Sequence, residues 1–225
     1  MRRDATSGTL GMLALMVATL CACTDGGEAS SGGDATVEGA GLPEGFAVRL
    51  DRANRDPADF HVAMVEGALH FRTGPSGILY RADQAVDAGD YTVSATFTEV
   101  SAPFGHREGF GLFIGGRDLD GSGQSYTYFL IRSDGKYLVK RRSGSTTIAV
   151  TDNWVPAGAV DRAGEDGGDV VNDLAVTVAG DRVTFRCNGV DLLDVASADV
   201  DTNGLVGLRV NHNLEVQVQG MRVER

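Results

Sequence analysis

The sequence is poor in residues that link a chain covalently or hold metal ions. It has three cysteines, and two of them, Cys21 and Cys23, lie close to the N-terminus. Cys187 is the only cysteine in the rest of the chain, so that part must be stabilised by packing rather than by an internal disulfide. Cys187 lies within an apolar run, which predicts a buried, unreactive thiol rather than a nucleophile. The four histidines show no zinc-like spacing to one another or to a cysteine.

Positive charge and helical patterns are also scarce. The formal net charge is −11, and Lys140-Arg141-Arg142 is the only clustered basic stretch. This balance excludes nucleic acid as a partner. We also find no amphipathic pattern long enough for an ordinary helix, of about ten residues or more. The composition therefore favours an acidic protein built from strands.

The N-terminal segment has the pattern of a secretory signal. A basic start, Met1-Arg2-Arg3, precedes an uncharged apolar run from Leu10 to Leu20, which is too short to span a membrane. The run ends in Leu20-Cys21-Ala22-Cys23, which resembles the lipobox of bacterial lipoproteins. The resemblance implies removal of residues 1–22 and lipidation of Cys23. The alternative is an ordinary signal peptide cleaved near Ala22, which leaves a free N-terminal cysteine.

A lipidated Cys23 would make the membrane a partner of the protein. Two or more acyl chains, each contributing about 0.8 kcal/mol per buried methylene, give stable attachment. Thr24 stands where an Asp would resemble an inner-membrane retention signal, so the predicted location is the cell envelope, at the outer membrane. Residues 23–41 are rich in Gly, Ser and acidic residues and lack aromatic residues, Lys and Arg. They are predicted to form a flexible tether with a reach of roughly 25 Å.

From Leu42 onward the sequence alternates between short apolar runs and turn residues. The runs predicted to be strands are Tyr91–Phe97, Phe110–Ile114, Tyr126–Arg132, Tyr137–Arg141, Leu174–Val178, Val183–Cys187, Leu205–Val210 and Leu214–Val218. Turns are predicted at 133–135 and 179–181, and Asn188-Gly189 is the strongest hairpin signal. Together with 31 glycines, this pattern predicts one all-β domain over residues 42–225, an antiparallel β-sandwich or jelly roll.

Several of these stretches together resemble the concanavalin A-like lectin and glucanase domains. They are Tyr126-x-Tyr-Phe-x-Ile-Arg-x-Asp-Gly-x-Tyr137, Trp154, Asn172-x-Leu-x-Val, Asp181-Arg-Val-Thr-Phe-Arg-Cys-Asn-Gly and Gly204-x-Val-Gly-Leu. The resemblance covers about residues 85–224 and is nearest to the branch with LamG and 3-keto-disaccharide hydrolase-like domains. It implies ligand binding on the concave sheet or on the loops at its rim. Residues 42–84 are expected to supply the first strands.

One set of residues has the chemistry that a sugar requires, because aromatic rings stack on its C–H face and polar groups pair with its hydroxyls. The candidate ligand-binding residues are Tyr126, Tyr128, Arg132, Arg209, Asn211, Glu215 and Gln217. Alternation along each strand places the first three on one face, and does the same for Arg209 with Asn211 and for Glu215 with Gln217. The hypothesis requires Tyr126, Tyr128, Arg209 and Glu215 to share one groove. The alternative is that the tyrosines are core residues and the polar rows are solvated.

Catalysis has weaker candidates. Glycoside hydrolysis needs two carboxylates about 5–9 Å apart, and the Glu-x-Asp-x-x-Glu arrangement of the glucanases is missing. Glu215 is the only mid-strand carboxylate, and Glu108, two residues after His106, falls in a predicted loop where a solvated role is expected. Classical retaining hydrolysis is therefore disfavoured.

No cofactor is expected, with calcium as the open alternative. Asp118 and Asp120 lie on a glycine-rich loop, but that loop lacks the third acidic ligand and the closing Glu of an EF-hand. Trp154, the only tryptophan, is expected to pack in the core or at the rim, with stacking on a ligand as the alternative.

Three hypotheses for function remain open. The first is a lipid-anchored, non-catalytic β-sandwich that binds carbohydrate or another envelope ligand. The second is a hydrolase that acts on 3-keto or other unusual glycosides. The third is a purely structural or adhesive envelope protein.

Overall fold

A computed structural model of the protein describes residues 36–38, 42–52, 54–102, 105–163 and 169–225, with only the backbone described for 36–38. Within these ranges the chain forms sixteen strands and two short 3-10 helices, Pro57–Asp59 and Ser197–Asp199. The predicted signal peptide, its lipobox with Cys23, and all of the predicted tether except Thr36–Glu38 lie outside the described residues. In the part of the chain described, no helix is long and apolar enough to cross a membrane.

The strands form two antiparallel sheets. The nine-stranded sheet contains, in spatial order, β1 (Thr36–Glu38), β2 (Phe46–Leu50), β5 (Gly77–Val86), β15 (Gly204–Val210), β7 (Phe110–Arg117), β8 (Ser125–Arg132), β9 (Lys136–Ser143) and β10 (Thr146–Ala149), with β11 (Val155–Pro156) also paired to β9. The seven-stranded sheet contains β14 (Val190–Ala196), β13 (Arg182–Cys187), β12 (Val170–Ala179), β6 (Tyr91–Ser101), β16 (Glu215–Glu224), β4 (Ala68–Thr73) and β3 (Phe60–Val65). The predicted all-β antiparallel sandwich is confirmed.

The predicted strands and turns are all present. Each apolar run lies within a strand apart from Leu214, which directly precedes β16, and several strands are longer than the runs, because their ends carry polar residues that the apolar pattern does not mark. The predicted turns at 133–135 and 179–181 join β8 to β9 and β12 to β13. The hairpin between β13 and β14 turns at Asn188 and Gly189, whose φ values are 50° and 78°. Two successive positive φ angles match the twist of the paired strands, as the Asn-Gly signal indicates.

The main core lies between the two sheets. On β6, residues at every second position are buried, from Tyr91 to Glu99, while those between them are partly exposed. Rings from the two sheets meet there: Phe97 stacks on Phe110 with centroids 5.7 Å apart, and Phe185 contacts Phe129 edge to face at 5.6 Å. Burial of this apolar surface is the main term that holds the sheets together.

Cys187 belongs to this core. Its side chain is fully buried, and burial raises the pKa of its thiol to about 12, with Asp161 and Asp173 adding to the effect. A thiol with such a pKa is almost entirely protonated at neutral pH, and the thiolate is the reactive form. The predicted burial of this thiol is confirmed.

Candidate functional site

The nine-stranded sheet carries a second apolar cluster on the face turned away from the main core, here called the outer face. Along β8, Tyr126, Tyr128 and Leu130 point to the outer face, whereas Phe129 and Ile131 point into the main core. The predicted alternation of this strand is therefore confirmed. The cluster consists of Ala47, Ile78, Tyr80, Phe113, Leu119, Tyr126, Tyr128, Leu130 and Leu138, with Trp154 and Leu205 packed against it.

The tyrosines form a buried floor rather than an open stacking platform. Tyr126 is 1% exposed and Tyr128 is 6% exposed. Their ring centroids lie 5.9 Å apart, and the Phe113 ring lies 5.3 Å from that of Tyr126. Burial raises the pKa of both hydroxyl groups. Both tyrosines are thus packing residues, and their contribution to a site is to support the polar groups that lie on them.

Arg209 is held on this floor by contacts on three sides. Its guanidinium carbon lies 4.7 Å from the centroid of the Tyr128 ring, and Nη1 donates to the Tyr126 hydroxyl at 3.1 Å. Nη1 and Nη2 donate to the two carboxylate oxygens of Asp51 at 2.8 and 2.6 Å. This bidentate pairing, combined with stacking on an aromatic ring, fixes the position of both charged groups.

The charges near Asp51 determine its protonation state. Burial alone would raise the pKa of its carboxyl, but the charge and hydrogen bonds of Arg209, with the charges of Arg142 and Arg49, lower it to about 2. For Arg209 the effects are reversed. Burial alone would lower the pKa of its guanidinium, but the charge of the Asp51 carboxylate keeps that pKa well above its usual value. Both groups are therefore ionised at neutral pH. Asp51 retains 26% of its side-chain exposure, so its oxygens can accept further hydrogen bonds.

A second polar group, the end cluster, lies where β15 ends and β7 begins; it consists of His106, Glu108, Asn211 and His212. Asn211 donates through Nδ2 to Glu108 at 2.8 Å and through its backbone N–H to the Gly109 carbonyl at 3.0 Å. Nε2 of His212 lies 3.7 Å from Glu108. His106 donates through Nε2 to the His212 carbonyl at 2.7 Å, and the two imidazole rings meet edge to face at 5.0 Å.

Trp154 and Arg132 border the same end of the outer face. The Trp154 ring packs on Gly109, where a side-chain Cβ would lie 2.5 Å from its Cη2 atom. The guanidinium carbon of Arg132 lies 4.5 Å from the centroid of this ring. Arg132 also donates to both oxygens of Asp134, at 2.8 and 2.7 Å. Arg132 therefore shares the face with Tyr126 and Tyr128, but its fork of donors is used within the protein.

A cavity of about 540 Å³ opens at this end and joins the two polar groups. Its lining consists of Asp51, Arg52, Arg55, Asp59, Gly74, Pro75, Ser76, His212 and Asn213. These residues come from the loops after β2, between β4 and β5, and between β15 and β16. Because the strands are antiparallel neighbours, their loops meet at one end of the sheet. Asp51 contributes both to the cavity and to the Arg209 pair, and His212 both to the cavity and to the end cluster.

The other two ligand-binding candidates lie on the opposite side of the sandwich. Glu215 and Gln217 belong to β16, which pairs with β4 and β6 in the seven-stranded sheet. Both project from the surface of that sheet, where Ser101 donates to Glu215 at 3.5 Å. The turn at 211–214 carries the chain from one sheet to the other. The in–out alternation of side chains along β15 therefore does not predict which way the side chains of β16 point. Tyr126, Tyr128 and Arg209 lie together on the outer face but are buried there, and Glu215 lies on the other sheet, so the four residues do not share one open groove.

The two calcium candidates, in the loop after β7, accept hydrogen bonds from groups of the protein. The Asp118 carboxylate accepts from the Gly123 N–H at 3.0 Å, and the Asp120 carboxylate accepts from the Tyr80 hydroxyl at 2.8 Å. The Leu119 carbonyl accepts from Nη1 of Arg49, which ties the loop to the outer face. Among the residues described, no group of three or more His, Cys, Asp or Glu side chains could hold a metal ion.

Sequence reasoning missed Asp51 and His212. Asp51 follows β2 in a stretch with no alternation, and its partner Arg209 lies 158 residues away in the chain. His212 directly follows the predicted Asn211, so its position in the turn after β15 was the available signal. Glu108, predicted only as a weak catalytic candidate, contacts the ligand-binding candidate Asn211.

Comparisons with known proteins support the fold. No protein-family model matches the chain, and no curated protein matches it. Solved structures do: carbohydrate-binding module CBM66 from Bacillus subtilis is 12% identical, with a TM-score of 0.57 over 80% of this chain and 96% of that chain. The Emp46p carbohydrate recognition domain in a potassium-bound form is 11% identical, with a TM-score of 0.53 over 80% and 88%.

An enzyme has the same fold. Alginate lyase A1-II′, of polysaccharide lyase family 7, is 12% identical, with a TM-score of 0.51 over 80% of this chain and 93% of that chain. At these levels of identity the similarities establish a shared β-sandwich fold. The more specific resemblance to 3-keto-disaccharide hydrolase-like domains stays a prediction.

Proposed function

We propose that the protein binds carbohydrate at the end of the outer face where Asp51, Asn211 and Trp154 lie. The observation that carries this proposal is the Asp51 carboxylate, which Arg209 holds in place through two hydrogen bonds. A fixed and partly exposed carboxylate is a strong acceptor for sugar hydroxyls, and it loses little conformational freedom on binding. Three structures with this fold have names that refer to carbohydrate, which supports the same ligand class.

The neighbouring groups supply the other contacts that a sugar needs. Asn211 and His212 are half-buried, and Glu108 keeps 27% of its side-chain exposure. Each sugar hydroxyl both donates and accepts, so carboxylate, amide and imidazole groups placed side by side suit it. The half-buried Trp154 ring borders this row and offers apolar surface to the C–H face of a sugar.

The low pKa of Asp51 favours binding over hydrolysis. A general acid must be protonated near neutral pH, whereas the pKa of Asp51 is about 2. Among the described carboxyl groups, Glu99 is the one whose pKa is raised, and the cause is burial. Glu99 is 7% exposed, and its hydrogen bond with Ser133 and the charge of His106 oppose the effect of burial. The Asp51 carboxylate is thus suited to hydrogen bonding rather than to acid catalysis.

We further propose that this binding face is displayed in the cell envelope through a lipid on Cys23. The support comes from the sequence: a basic start, a short apolar run and a lipobox-like segment precede Cys23. A stretch rich in Gly, Ser and acidic residues then separates the cysteine from the folded domain. A glycan-binding domain on such a tether would hold a polysaccharide close to the cell.

The test compares two amides that were both candidates but lie on opposite sides of the sandwich. The wild type is screened on a glycan array, and the best ligand is titrated against Asn211→Ala and its control, Gln217→Ala. We expect Asn211→Ala to weaken binding about tenfold through loss of hydrogen bonds, and Gln217→Ala to change it less than twofold. Thermal unfolding of each variant checks that the fold is retained.

Two outcomes would contradict the proposal. One is an array on which no glycan binds the wild type. The other is the reverse pattern, with binding lost in Gln217→Ala and retained in Asn211→Ala, which would place the site on the seven-stranded sheet. Tyr128→Ala removes the ring under Arg209 and is expected to weaken binding further than Asn211→Ala does.

A further inference from the structure

The outer face carries positive charge although the whole chain is strongly acidic. Alternation from Leu138, and the pairing of β9 with β8, place Lys136, Lys140 and Arg142 on the outer face. The basic residues at outward positions of the described strands are Arg49, Arg132, Lys136, Lys140, Arg142 and Arg209. Acidic groups also contact this face: Asp51 lies directly after β2, Asp120 accepts from the outward Tyr80 hydroxyl, and Asp134 lies in the turn after β8. In a chain of net charge −11, six outward basic groups against these three acidic groups reverse the sign of the charge.

Part of this charge is neutralised within the protein. Asp51 pairs with Arg209, and Asp134, in the turn after β8, pairs with Arg132 and Lys136. Arg49, Lys140 and Arg142 are not part of these ion pairs. We refer to these three residues as the basic triad. The charges of Arg49 and Arg142 act on Asp51 from a distance, and each arginine also donates one hydrogen bond to a backbone carbonyl. Each of the three is half-buried, which keeps part of its side chain accessible and reduces the screening of its charge by water.

The basic triad lies on both sides of the tyrosine floor. On β9, Arg142 pairs in register with Tyr126, and Lys140 pairs with Tyr128. On β2, Arg49 pairs with Ile78, which in turn pairs with Arg209. Five strand-to-strand steps separate β2 from β9, which corresponds to about 24 Å along the sheet. The charges of Arg49 and Arg142 nevertheless both act on Asp51, so the two arginines flank the Asp51–Arg209 pair from opposite sides.

We propose that the outer face selects polysaccharides that carry carboxylate or sulfate groups, which the basic triad recognises. This inference rests on the proposed carbohydrate binding and adds the class of glycan. Arginine matches planar carboxylates and sulfates through its fork of N–H donors, and lysine adds a point charge. The bordering Trp154 and the row of hydrogen-bonding groups at the sheet end favour a glycan over another polyanion, because they suit sugar rings and hydroxyls.

The experiment uses two matched pairs of polymers as probes. Polygalacturonate is compared with its methyl-esterified form, and dextran sulfate with dextran, so that only the negative charge differs within a pair. The full chain is titrated with each, alongside a DNA duplex. We expect binding to the charged member of at least one pair at least tenfold tighter than to its neutral partner and to DNA. We also expect this binding to weaken as salt is raised.

Variants test whether the triad is responsible. Arg142→Gln and Lys140→Gln are each expected to weaken binding of the charged polymer about fivefold. Arg142→Lys keeps the charge but loses the fork of donors, so it is expected to weaken binding by an intermediate factor, about two- to threefold. The control is Arg72→Gln, which removes the same charge from an exposed position on β4 in the other sheet. It is expected to leave binding unchanged.

The outcomes separate this inference from the proposal on which it rests. Equal binding of both members of each pair, or no binding of any of these four polymers, overturns the inference. A glycan array that still shows ligands dependent on Asn211 would leave carbohydrate binding standing. Binding of DNA as tight as that of the polysaccharides also overturns the inference, because it would indicate general attraction to polyanions. If Arg72→Gln weakens binding of the charged polymer as much as Arg142→Gln does, the inference is also overturned, because the attraction would not depend on the outer face.

Discussion

At the scale of single residues, Arg209 and Asp51 form a pair that is costly to bury and costly to break. Taking two charges out of water is unfavourable, and their attraction offsets this only with good geometry and further hydrogen bonds. Here the geometry is bidentate, and the Tyr126 hydroxyl and the Tyr128 ring complete the surroundings of Arg209. If Asp51 were removed, the charge of Arg209 would stay buried without its carboxylate partner. If Arg209 were removed, the charge of Asp51 would stay half-buried without its bidentate partner. The pair is therefore expected to contribute to folding as well as to binding.

The pH dependence of unfolding tests this pair. The pKa of Asp51 is about 2 in the folded protein against an ordinary value of 3.8. Because the folded-state pKa is lowered, the contribution is fully present above about pH 4 and is lost as pH falls from 4 to 2. The difference corresponds to about 2 kcal/mol. Urea titrations from pH 7 to pH 2 should show that Asp51→Asn lacks this loss, which the wild type undergoes.

Asp83→Asn is the matched control for that measurement. Asp83 pairs with Arg81 at 2.8 Å, but 65% of its side chain is exposed, so water screens the interaction. Its substitution should leave the pH profile close to that of the wild type. If the free energy of unfolding changed with pH in the same way for the wild type and for Asp51→Asn, the Asp51–Arg209 pair would contribute nothing to stability in this pH range.

Residue-level prediction succeeded where the information was local. The alternation of Tyr126 and Tyr128 follows from strand geometry alone, and it placed both on the correct face. It did not show that both are buried, because their cover comes from packing on the outer face by residues such as Leu119 and Trp154. The role of Asp51 could not be predicted from local sequence either, because it depends on Arg209, a partner 158 residues away in the chain.

At the scale of elements, the hairpin between β13 and β14 shows how a turn sequence determines local structure. Gly189 has a φ of 78°, a conformation that costs a residue with a Cβ atom about 1 kcal/mol or more. A Cβ atom built on Gly189 would meet nothing within 4 Å. Any cost of Gly189→Ala therefore comes from the backbone and not from a clash.

Gly158→Ala provides the comparison for Gly189→Ala. A Cβ atom at Gly158 also meets nothing within 4 Å, but Gly158 does not have a positive φ. We expect Gly189→Ala to lower the free energy of unfolding by about 1 kcal/mol, and Gly158→Ala to leave it unchanged or raise it slightly. Equilibrium denaturation measures both. Equal effects of the two substitutions would show that the backbone conformation at Gly189 is not what stabilises the turn.

The limits of element-level prediction are visible in β15 and β16. Both were predicted as strands, and both are strands. Their apolar patterns are alike, because each buries one face against the same main core from opposite sides. Nothing in either pattern says that β15 pairs with β5 and β7 while β16 pairs with β4 and β6. Arg209 and Glu215 were therefore assigned to one groove, although the sheets separate them.

At the scale of the whole molecule, the fold class was predictable and the strand order was not. The two-residue alternation, the turn residues and the lack of helical patterns are sufficient to predict an antiparallel sandwich. Strand order depends on pairings between segments far apart in the chain, such as β2 with β5 and β15 with β5. The same long-range pairings bring the basic triad and the polar end of the sheet onto one face.

A lipid on Cys23 would determine where that face is displayed, and the neighbouring cysteine offers a control. The full chain is expressed in a bacterial host with labelled palmitate, as wild type, Cys23→Ser and Cys21→Ser. We expect the wild type and Cys21→Ser to incorporate label and to remain with the outer-membrane fraction after a high-salt wash. Cys23→Ser should incorporate none and leave that fraction, because the acyl chains provide the attachment. Label retained in Cys23→Ser, or lost only in Cys21→Ser, would contradict the assignment of Cys23.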